Sequence, residues 1–444
     1  MSTATPGPAP RDRTRRRLPS PLVRTPVGML VALTLLTACS QPPSREKEVG
    51  AAAPAAGSST ADRQFLYLWT AAADSAQPDF LAVVDVTDGA PGDTARYGSL
   101  VTTLPVPGRK NDPHHTEHSL AGDRQLFANG FNGGQSFIFD LSTPDAPRIV
   151  SQFGDVNGLS HPHTFVRLPS GNVLATFQMT HGARGMRTGG LAELTPAGAV
   201  VRSASADYPG ASAGLRTYSA AVIPAFDRIL TTSTDMHQDD PASNTLQLWR
   251  LSDLTLLKSF TLPDGPAGNE GHLTAEPRLM ADGKTLLVST FNCGLYLLSG
   301  LDSDHPSGTL VSTFPQKKGT YCAIPAIVGH YYLVTVPALS AVVVLDIADP
   351  ARPREVSRMA LGAKDEVHWL SVSPDTRRVV VTGYDALQHR VVLARFDSTT
   401  GQIALDTRFR EAGKAEPGFF LDDKTWPHGG TTKGIAHGAV FSRP

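Results

Sequence analysis

Histidine is the residue type whose placement in this sequence points to chemistry. Fourteen histidines occur among 444 residues, and His114 and His115 are adjacent. A neutral imidazole offers a nitrogen lone pair that suits copper, zinc, iron or nickel, whereas calcium and magnesium prefer oxygen ligands. Further candidate metal ligands are His118, His163, His272, His368 and His437. A single buried histidine is commonly a hydrogen-bonded core residue, so the metal interpretation depends on the whole set.

Carboxylate and thiol groups extend this candidate site. Glu117, two residues after the histidine pair, is a candidate catalytic group that would handle protons, and Asp112 is a candidate for orienting an imidazole. Cys293 and Cys322 are the two cysteines in the second half of the chain. Three alternatives are open for them: a disulfide, a Cys322 thiolate that acts in the metal site, or burial as small apolar residues.

A repeat of about 50 residues must position these side chains. A strand of the form apolar-x-apolar-polar-apolar recurs seven times, at Asp85, Asp140, Glu193, Arg250, Ser299, Asp346 and Arg395. A second apolar run precedes each of these strands, usually after a turn signal. Short strands repeated at this spacing predict an all-β fold, a seven-bladed β-propeller over residues 63–444. Six or eight blades are the alternative, and the lack of long helical periodicity argues against a helical solenoid.

The propeller prediction places the histidines together. The innermost strands should begin near residues 115, 163, 218, 272, 322, 368 and 437, and five of these seven starts carry histidine. Blade one lacks an innermost strand of its own. We expect residues 436–441 to supply it from the C-terminus, because this closes the ring and leaves no open sheet edge. The histidines should therefore converge at one end of the central channel.

The N-terminus has the pattern of an export signal. Several arginines precede an apolar stretch of 13 residues, 26–38, which is too short for a membrane span of roughly 20 residues. Cys39 follows small residues directly, which resembles the lipobox of bacterial lipoproteins. We therefore predict a signal peptide over 1–38, an exported protein anchored to a membrane through lipidated Cys39, and a flexible tether over 39–62.

The charge balance excludes one large class of partner. The full chain has 40 Lys and Arg against 41 Asp and Glu, and removal of residues 1–38 takes away six arginines and one aspartate. The mature chain would therefore carry a net charge of about −6, with no basic stripe for a phosphate backbone. Binding of nucleic acid is not expected.

Several segments resemble the selenium-binding protein family, which includes bacterial methanethiol oxidase. The resemblance rests on FLYLW (65–69), LPVPGRKNDPHHTEH (104–118), QSFIFDLSTPDAPRIVSQF (135–153), LSVSPDTRRVVVTGY (370–384) and IAH (435–437). It implies a seven-bladed propeller and a periplasmic copper enzyme that converts methanethiol and dioxygen to formaldehyde, hydrogen sulfide and hydrogen peroxide. The positions that match the family's histidines are His114, His115, His163 and His437.

The resemblance leads to one functional expectation with one alternative. We expect a copper-dependent oxidase of small thiols, in which His115, His163 and His437 hold the copper ion and His114, His118, His272 or His368 completes the metal shell. The alternative is a non-enzymatic propeller that stores, delivers or senses copper. A lactonase-type hydrolase is disfavoured, because few acidic residues stand at the strand starts. The Cys-x-x-Cys motif of animal family members is replaced here by Glu117-His118-Ser119.

Overall fold

Short β-strands form almost all of the regular structure, as the alternating apolar pattern predicts. The structure is a computed structural model that describes residues 63–88, 96–180, 188–209, 215–236, 243–322, 324–384 and 386–443. These residues contain 29 β-strands and two short 3-10 turns, Pro224–Phe226 and Pro337–Leu339, and no α-helix. The predicted signal peptide, Cys39 and the tether lie outside the described residues. No helix in the described ranges is long and apolar enough to cross a membrane.

Seven antiparallel sheets form the blades of the propeller, and each is built mainly from consecutive strands. Blade 1 begins with β1 (Phe65–Ala72), β2 (Phe80–Asp85) and β3 (Ser99–Pro105). Blade 2 contains β4 (Pro113–Thr116), β5 (Gln125–Gly130), β6 (Gln135–Asp140) and β7 (Arg148–Phe153). Blade 3 contains β8 (Leu159–Arg167), β9 (Val173–Thr180), β10 (Gly190–Leu194) and β11 (Val200–Ser205).

The other four blades follow the same order. Blade 4 contains β12 (Thr217–Ile223), β13 (Arg228–Ser233), β14 (Thr245–Arg250) and β15 (Leu256–Thr261). Blade 5 contains β16 (Thr274–Leu279), β17 (Leu286–Thr290), β18 (Gly294–Ser299) and β19 (Ser307–Thr313). Blade 6 contains β20 (Ala326–Val328), β21 (Tyr331–Val336), β22 (Ala341–Asp346) and β23 (Arg354–Ala360). Blade 7 contains β24 (Trp369–Val372), β25 (Arg378–Thr382), β26 (Arg390–Asp397) and β27 (Gln402–Leu405), with β28 (Phe419–Phe420) paired to β26.

The last strand closes the ring. β29 (Gly434–Phe441) pairs antiparallel with β1, with Leu66 opposite Phe441 and Ala72 opposite Gly434. This pairing completes blade 1 and covers the edge of β1 that would otherwise be open. The predicted seven-bladed propeller with a C-terminal closing strand is therefore confirmed, and the strand begins two residues earlier than predicted.

The first strands of the blades lie around the centre of the ring. β29 contacts β4, β4 contacts β8, β8 contacts β12, and β24 contacts both β20 and β29. Side chains on these strands therefore meet even when they are far apart in sequence. The middle strands carry continuous apolar runs because both of their faces are covered by neighbouring blades. Trp69 of blade 1, for example, packs edge-on against Phe137 and Phe139 of blade 2, with each pair of ring centroids 5.6 Å apart.

Candidate metal centre

Three of the central strands bring four histidines together. β4 carries His114 and His115, β8 carries His163, and β29 carries His437. All four side chains are buried. These are the four positions that the family resemblance selects, and His114 and His437 are 323 residues apart in sequence. Closure of the ring by β29 is what brings His437 to the other three.

A β-bulge lets two consecutive histidines occupy the same site. In a regular strand His114 and His115 would point to opposite faces. The register between β4 and β5 shifts between Pro113 and Thr116, which is the signature of a bulge that redirects side chains. As a result the rings of His114 and His115 stack, with centroids 4.5 Å apart and planes 5° apart.

The side chain of Asn129 holds this bulge in place. Its Oδ1 accepts a hydrogen bond from the backbone N–H of His115 at 2.6 Å, and its Nδ2 donates to the carbonyl oxygen of Pro162 at 2.7 Å. The fully buried Asn129 therefore links the strand of the histidine pair to the strand of His163.

Three of the four imidazoles lie close enough to share one ion. One ligand atom from each of His114, His115 and His163 lies within 4.8 Å of the other two. The ring of His437 is centred 4.0 Å from that of His114 and 5.4 Å from that of His115. We call these four residues the histidine cluster. His368 is next to it, with its ring centroid 4.5 Å from that of His437.

Six ring nitrogens of the histidine cluster have no hydrogen-bond partner among the described residues. They are Nδ1 and Nε2 of His114, Nδ1 of His115, Nε2 of His163, and both ring nitrogens of His437. A buried polar atom without a partner typically destabilises a protein by about 1–3 kcal/mol, and several in one place indicate a missing ligand. Imidazole nitrogens without a carboxylate among them suit a transition metal ion such as copper. The residues of the cluster therefore fit a metal of this class.

Hydrogen bonding fixes the tautomer of His163. Its Nδ1 lies 3.0 Å from the carbonyl oxygen of Tyr218, which can only accept, so Nδ1 carries the proton. Nε2 therefore has a free lone pair and is one of the six nitrogens without a partner. A metal-binding histidine typically donates its second N–H to a backbone carbonyl in this way.

Burial keeps these imidazoles neutral. It is the main cause that lowers the pKa of His114, His115 and His437 well below the usual value, and the neighbouring imidazoles lower it further. Burial lowers the pKa of His163 to about 3, although its hydrogen bond to Tyr218 opposes the shift. Neutral rings with available lone pairs are the form that binds a metal at neutral pH.

Aromatic side chains surround the histidine cluster. Tyr218 packs its ring 4.1 Å from that of His163, and its hydroxyl lies 3.5 Å from Nε2 of His115. The ring centroid of Trp369 lies 5.1 Å from that of His115, and the ring centroid of Tyr384 lies 4.8 Å from that of His437. These rings form part of the aromatic surroundings of the site.

A cavity of about 210 Å³ opens onto the cluster. Its lining includes the polar side chains of His114, His368, His437 and Tyr384, together with residues that adjoin strands of blades 4 and 5. The cluster is therefore accessible to a small molecule from one direction.

Two of the predicted residues, the half-buried His118 and the buried Glu117, are not part of the histidine cluster. His118 stacks on Trp369, with centroids 4.6 Å apart, and its Nε2 accepts a hydrogen bond from Arg278 at 2.8 Å. Glu117 accepts hydrogen bonds from the guanidinium of Arg167 at 2.6 Å and from the backbone N–H of Phe127 at 3.0 Å. These partners occupy the nitrogen and the oxygens that metal binding or proton transfer would need.

The structure contradicts the predicted roles of two other residues. His272 is partly exposed, and its Nε2 lies 3.3 Å from Oδ1 of Asp264 outside the cluster, because it precedes β16 rather than lying on it. Cys322 forms a disulfide with Cys293. A disulfide sulfur offers no thiolate, so the prediction of a catalytic or metal-binding Cys322 is wrong for this structure. The disulfide alternative is the one observed.

The sequence offered different signals for the residues that support the cluster. Tyr218 stands at a predicted strand start, so its position near the histidines could be anticipated. Asn129 lies in an ordinary apolar strand, and its role depends on a bulge and on the neighbouring blade. Nothing in the local sequence reveals that role.

Comparisons with known proteins agree with this fold. No protein-family model matches the chain. A methanethiol oxidase from Hyphomicrobium sp. is 26% identical over 349 residues, which are 73% of this chain and 76% of that protein. A methanethiol oxidase from Ruegeria pomeroyi is 31% identical over 137 residues, which are 29% of this chain and 30% of that protein.

Solved structures show the same propeller. A hypothetical selenium-binding protein from Sulfolobus tokodaii matches with a TM-score of 0.67 and 17% identity, over 86% of this chain and 93% of that one. A periplasmic gluconolactonase from Pseudomonas aeruginosa matches with a TM-score of 0.58 and 12% identity, over 86% of this chain and 99% of that one. The matches to methanethiol oxidases, together with this shared fold, confirm the predicted resemblance to the selenium-binding protein and methanethiol oxidase family.

Proposed function

We propose that this protein is a copper-dependent oxidase of small thiols that acts outside the cytoplasm. The observation that carries the proposal is the group of six buried imidazole nitrogens without hydrogen-bond partners, next to a cavity that a small molecule can enter. The relatives named methanethiol oxidase support the choice of a thiol as substrate.

The four members of the histidine cluster would hold the copper ion. His163 would bind through Nε2, because its Nδ1 proton is engaged with the carbonyl of Tyr218. Copper bound there would supply the redox couple that passes electrons from the thiol to dioxygen. His368 and Tyr384 line the cavity beside His437, so the substrate would contact them.

The protein itself would orient and shield the reacting groups. Asn129 fixes the backbone of His115, and Trp369 and Tyr218 pack against the imidazoles so that water cannot reach them from those sides. The overall reaction would convert one thiol, one dioxygen and one water to one aldehyde, one hydrogen sulfide and one hydrogen peroxide. Since Glu117 is bound to Arg167, protons would be exchanged with water in the cavity and not with Glu117.

Export and anchoring complete the proposal. The signal-like segment 1–38 would direct the chain out of the cytoplasm, and lipidated Cys39 would hold it at a membrane. A tether of about two dozen residues would leave the propeller free to meet thiols and dioxygen in solution.

Elemental analysis is the first test of the proposal. The chain from residue 40 onward would be exported, purified, dialysed and assayed for metals, and then for hydrogen peroxide and aldehyde release from methanethiol. We expect close to one copper per chain and release of both products. Copper without oxidation would favour a copper-handling protein, and no transition metal after copper loading would reject both functions.

Paired histidine variants make this test specific to the site. His163→Ala and His437→Ala should abolish copper retention and turnover but leave the protein folded, because the blades pack through other residues. His305→Ala is the matched control, since His305 is exposed and distant from the cluster in sequence. Full copper and full turnover in either cluster variant would show that the metal is bound elsewhere.

A further inference from the structure

The cavity beside the histidine cluster is much larger than methanethiol requires. Its volume is about 210 Å³, whereas a cavity of about 150 Å³ already accommodates benzene. Methanethiol contains only two non-hydrogen atoms and would leave most of this space filled with water. The size therefore indicates a substrate with a larger substituent on the thiol.

One wall of the cavity is apolar. Met236, Leu273, Phe291 and Tyr321 line it, and Phe291 and Tyr321 pack with ring centroids 5.9 Å apart. Leu273 and Phe291 are buried members of a hydrophobic core cluster that Met236 contacts. Because these side chains are held by the core, the wall keeps its shape, and an apolar group placed against it would be removed from water.

The charged residues of the cavity are acidic. Asp235 and Glu366 line it, and no lysine or arginine does so among the described residues. The fully buried Asp235 has Arg216 as an ion-pair partner, with Oδ1 and Nε 3.9 Å apart. Its charge is therefore largely balanced within the protein. No lysine or arginine among the described lining residues would balance a substrate carboxylate, which disfavours anionic thiols.

We propose that the substrate of this site is a primary thiol with an uncharged apolar group about the size of a phenyl or butyl group. This inference rests on the proposed function. The reaction of phenylmethanethiol would be C6H5CH2SH + O2 + H2O giving C6H5CHO + H2S + H2O2. The carbon bearing sulfur is oxidised by two electrons, the C–S bond breaks, and dioxygen is reduced by two electrons.

A substrate series measures the contribution of the apolar wall. The copper-loaded full chain, purified in detergent, would be assayed for aldehyde release with methanethiol, ethanethiol, 1-butanethiol and phenylmethanethiol. We expect kcat/KM to rise about fourfold for each methylene group that the cavity buries. A charged pair, 3-mercaptopropionate and 2-aminoethanethiol, should react more slowly than 1-butanethiol. Faster reaction of either charged thiol, or a decline from methanethiol onward, would overturn the inference.

A cavity-filling variant separates the cavity from the metal. Met236→Trp should lower the ratio of kcat/KM for phenylmethanethiol to that for methanethiol by at least about tenfold, because the indole occupies the space of the phenyl group. Leu387→Trp is the matched control, since Leu387 is 84% exposed and lies outside the cavity lining. An unchanged ratio in Met236→Trp would contradict the placement of the substituent.

A binding measurement without copper distinguishes this inference from the proposed function. Phenylmethanol, which lacks the thiol, should bind the metal-free protein in calorimetry, and Met236→Trp should abolish that binding. Oxidation of methanethiol without phenylmethanol binding would overturn the substrate inference and leave the oxidase intact. Phenylmethanol binding in a protein that oxidises no thiol would reject the oxidase, and the cavity would remain a site for apolar molecules.

Discussion

Acidification of the metal-free protein tests the electrostatics of the buried histidines. Burial lowers the pKa of five imidazoles, those of His114, His115, His118, His163 and His437. In the unfolded chain these groups should have a pKa of about 6.5. Below that pH the unfolded chain binds more protons than the folded protein, so the free energy of unfolding decreases as the pH falls.

The size of the decrease in the free energy of unfolding follows from the difference in proton uptake between the unfolded and the folded protein. The unfolded imidazole is about half protonated at pH 6.5 and about nine-tenths protonated at pH 5.5, while a buried imidazole with a pKa of about 3, as for His163, takes up almost no proton over this interval. Integration over this interval gives about 1 kcal/mol for each histidine. The five groups together should therefore lower the free energy of unfolding by about 5 kcal/mol, in addition to any contribution from carboxylates.

Urea unfolding of single variants isolates the histidine contribution. The free energy of unfolding would be measured at the two pH values for the chelator-treated wild-type protein and for His163→Gln. The glutamine does not titrate, so the acid-induced loss should shrink by about 1 kcal/mol. His305→Gln, at an exposed position, should leave the loss unchanged. Equal losses in wild-type and His163→Gln would show that His163 already titrates normally in the folded protein.

Three further predictions concern the scaffold. Asn129→Ala should lower the free energy of unfolding by about 2–4 kcal/mol, because it leaves the two backbone groups that Asn129 binds without partners, and copper affinity should fall with it; chemical denaturation and metal competition measure both. Reduction of the Cys293–Cys322 disulfide, whose residues are 29 apart in sequence, should cost about 3–4 kcal/mol in the same denaturation assay. Deletion of residues 434–444 should prevent formation of a stable propeller, because β1 loses its inner partner, and circular dichroism and size-exclusion chromatography would detect this. Preserved stability in any of the three would contradict the assigned contact.

Much of the fold could be predicted because it depends on patterns that repeat along the chain. The recurring strand near every fiftieth residue identifies the blades, and the missing first strand of blade 1 predicts that residues near His437 return to close the ring. Burial on both faces makes the middle strands continuously apolar, so they are easy to recognise. The state of the cysteines was harder to predict, because a separation of 29 residues allows either a disulfide or independent burial. Only the approach of the two segments in the folded protein selects the disulfide.

The sequence predicted the kind of site, but it did not predict which of the histidines form it. Histidines at strand starts indicate a metal centre at the middle of the propeller, and four of the seven predicted ligands, His114, His115, His163 and His437, meet there. His118 and His272 share the same sequence signal, yet Arg278 binds the first and Asp264 faces the second. These partners come from distant turns and strands, and no local sequence pattern predicts the contacts.

The sequence alone determined the all-β repeat, the number of blades, the closing strand and the residue type that would bind a metal. These features follow from hydrophobic alternation and side-chain chemistry, which are properties of short segments. The tertiary structure decided which histidines meet, how the bulge at His115 turns two consecutive rings to one side, and where Glu117 finds Arg167. It decided them because distances between strands of different blades depend on the packing of the whole ring, which no single segment contains.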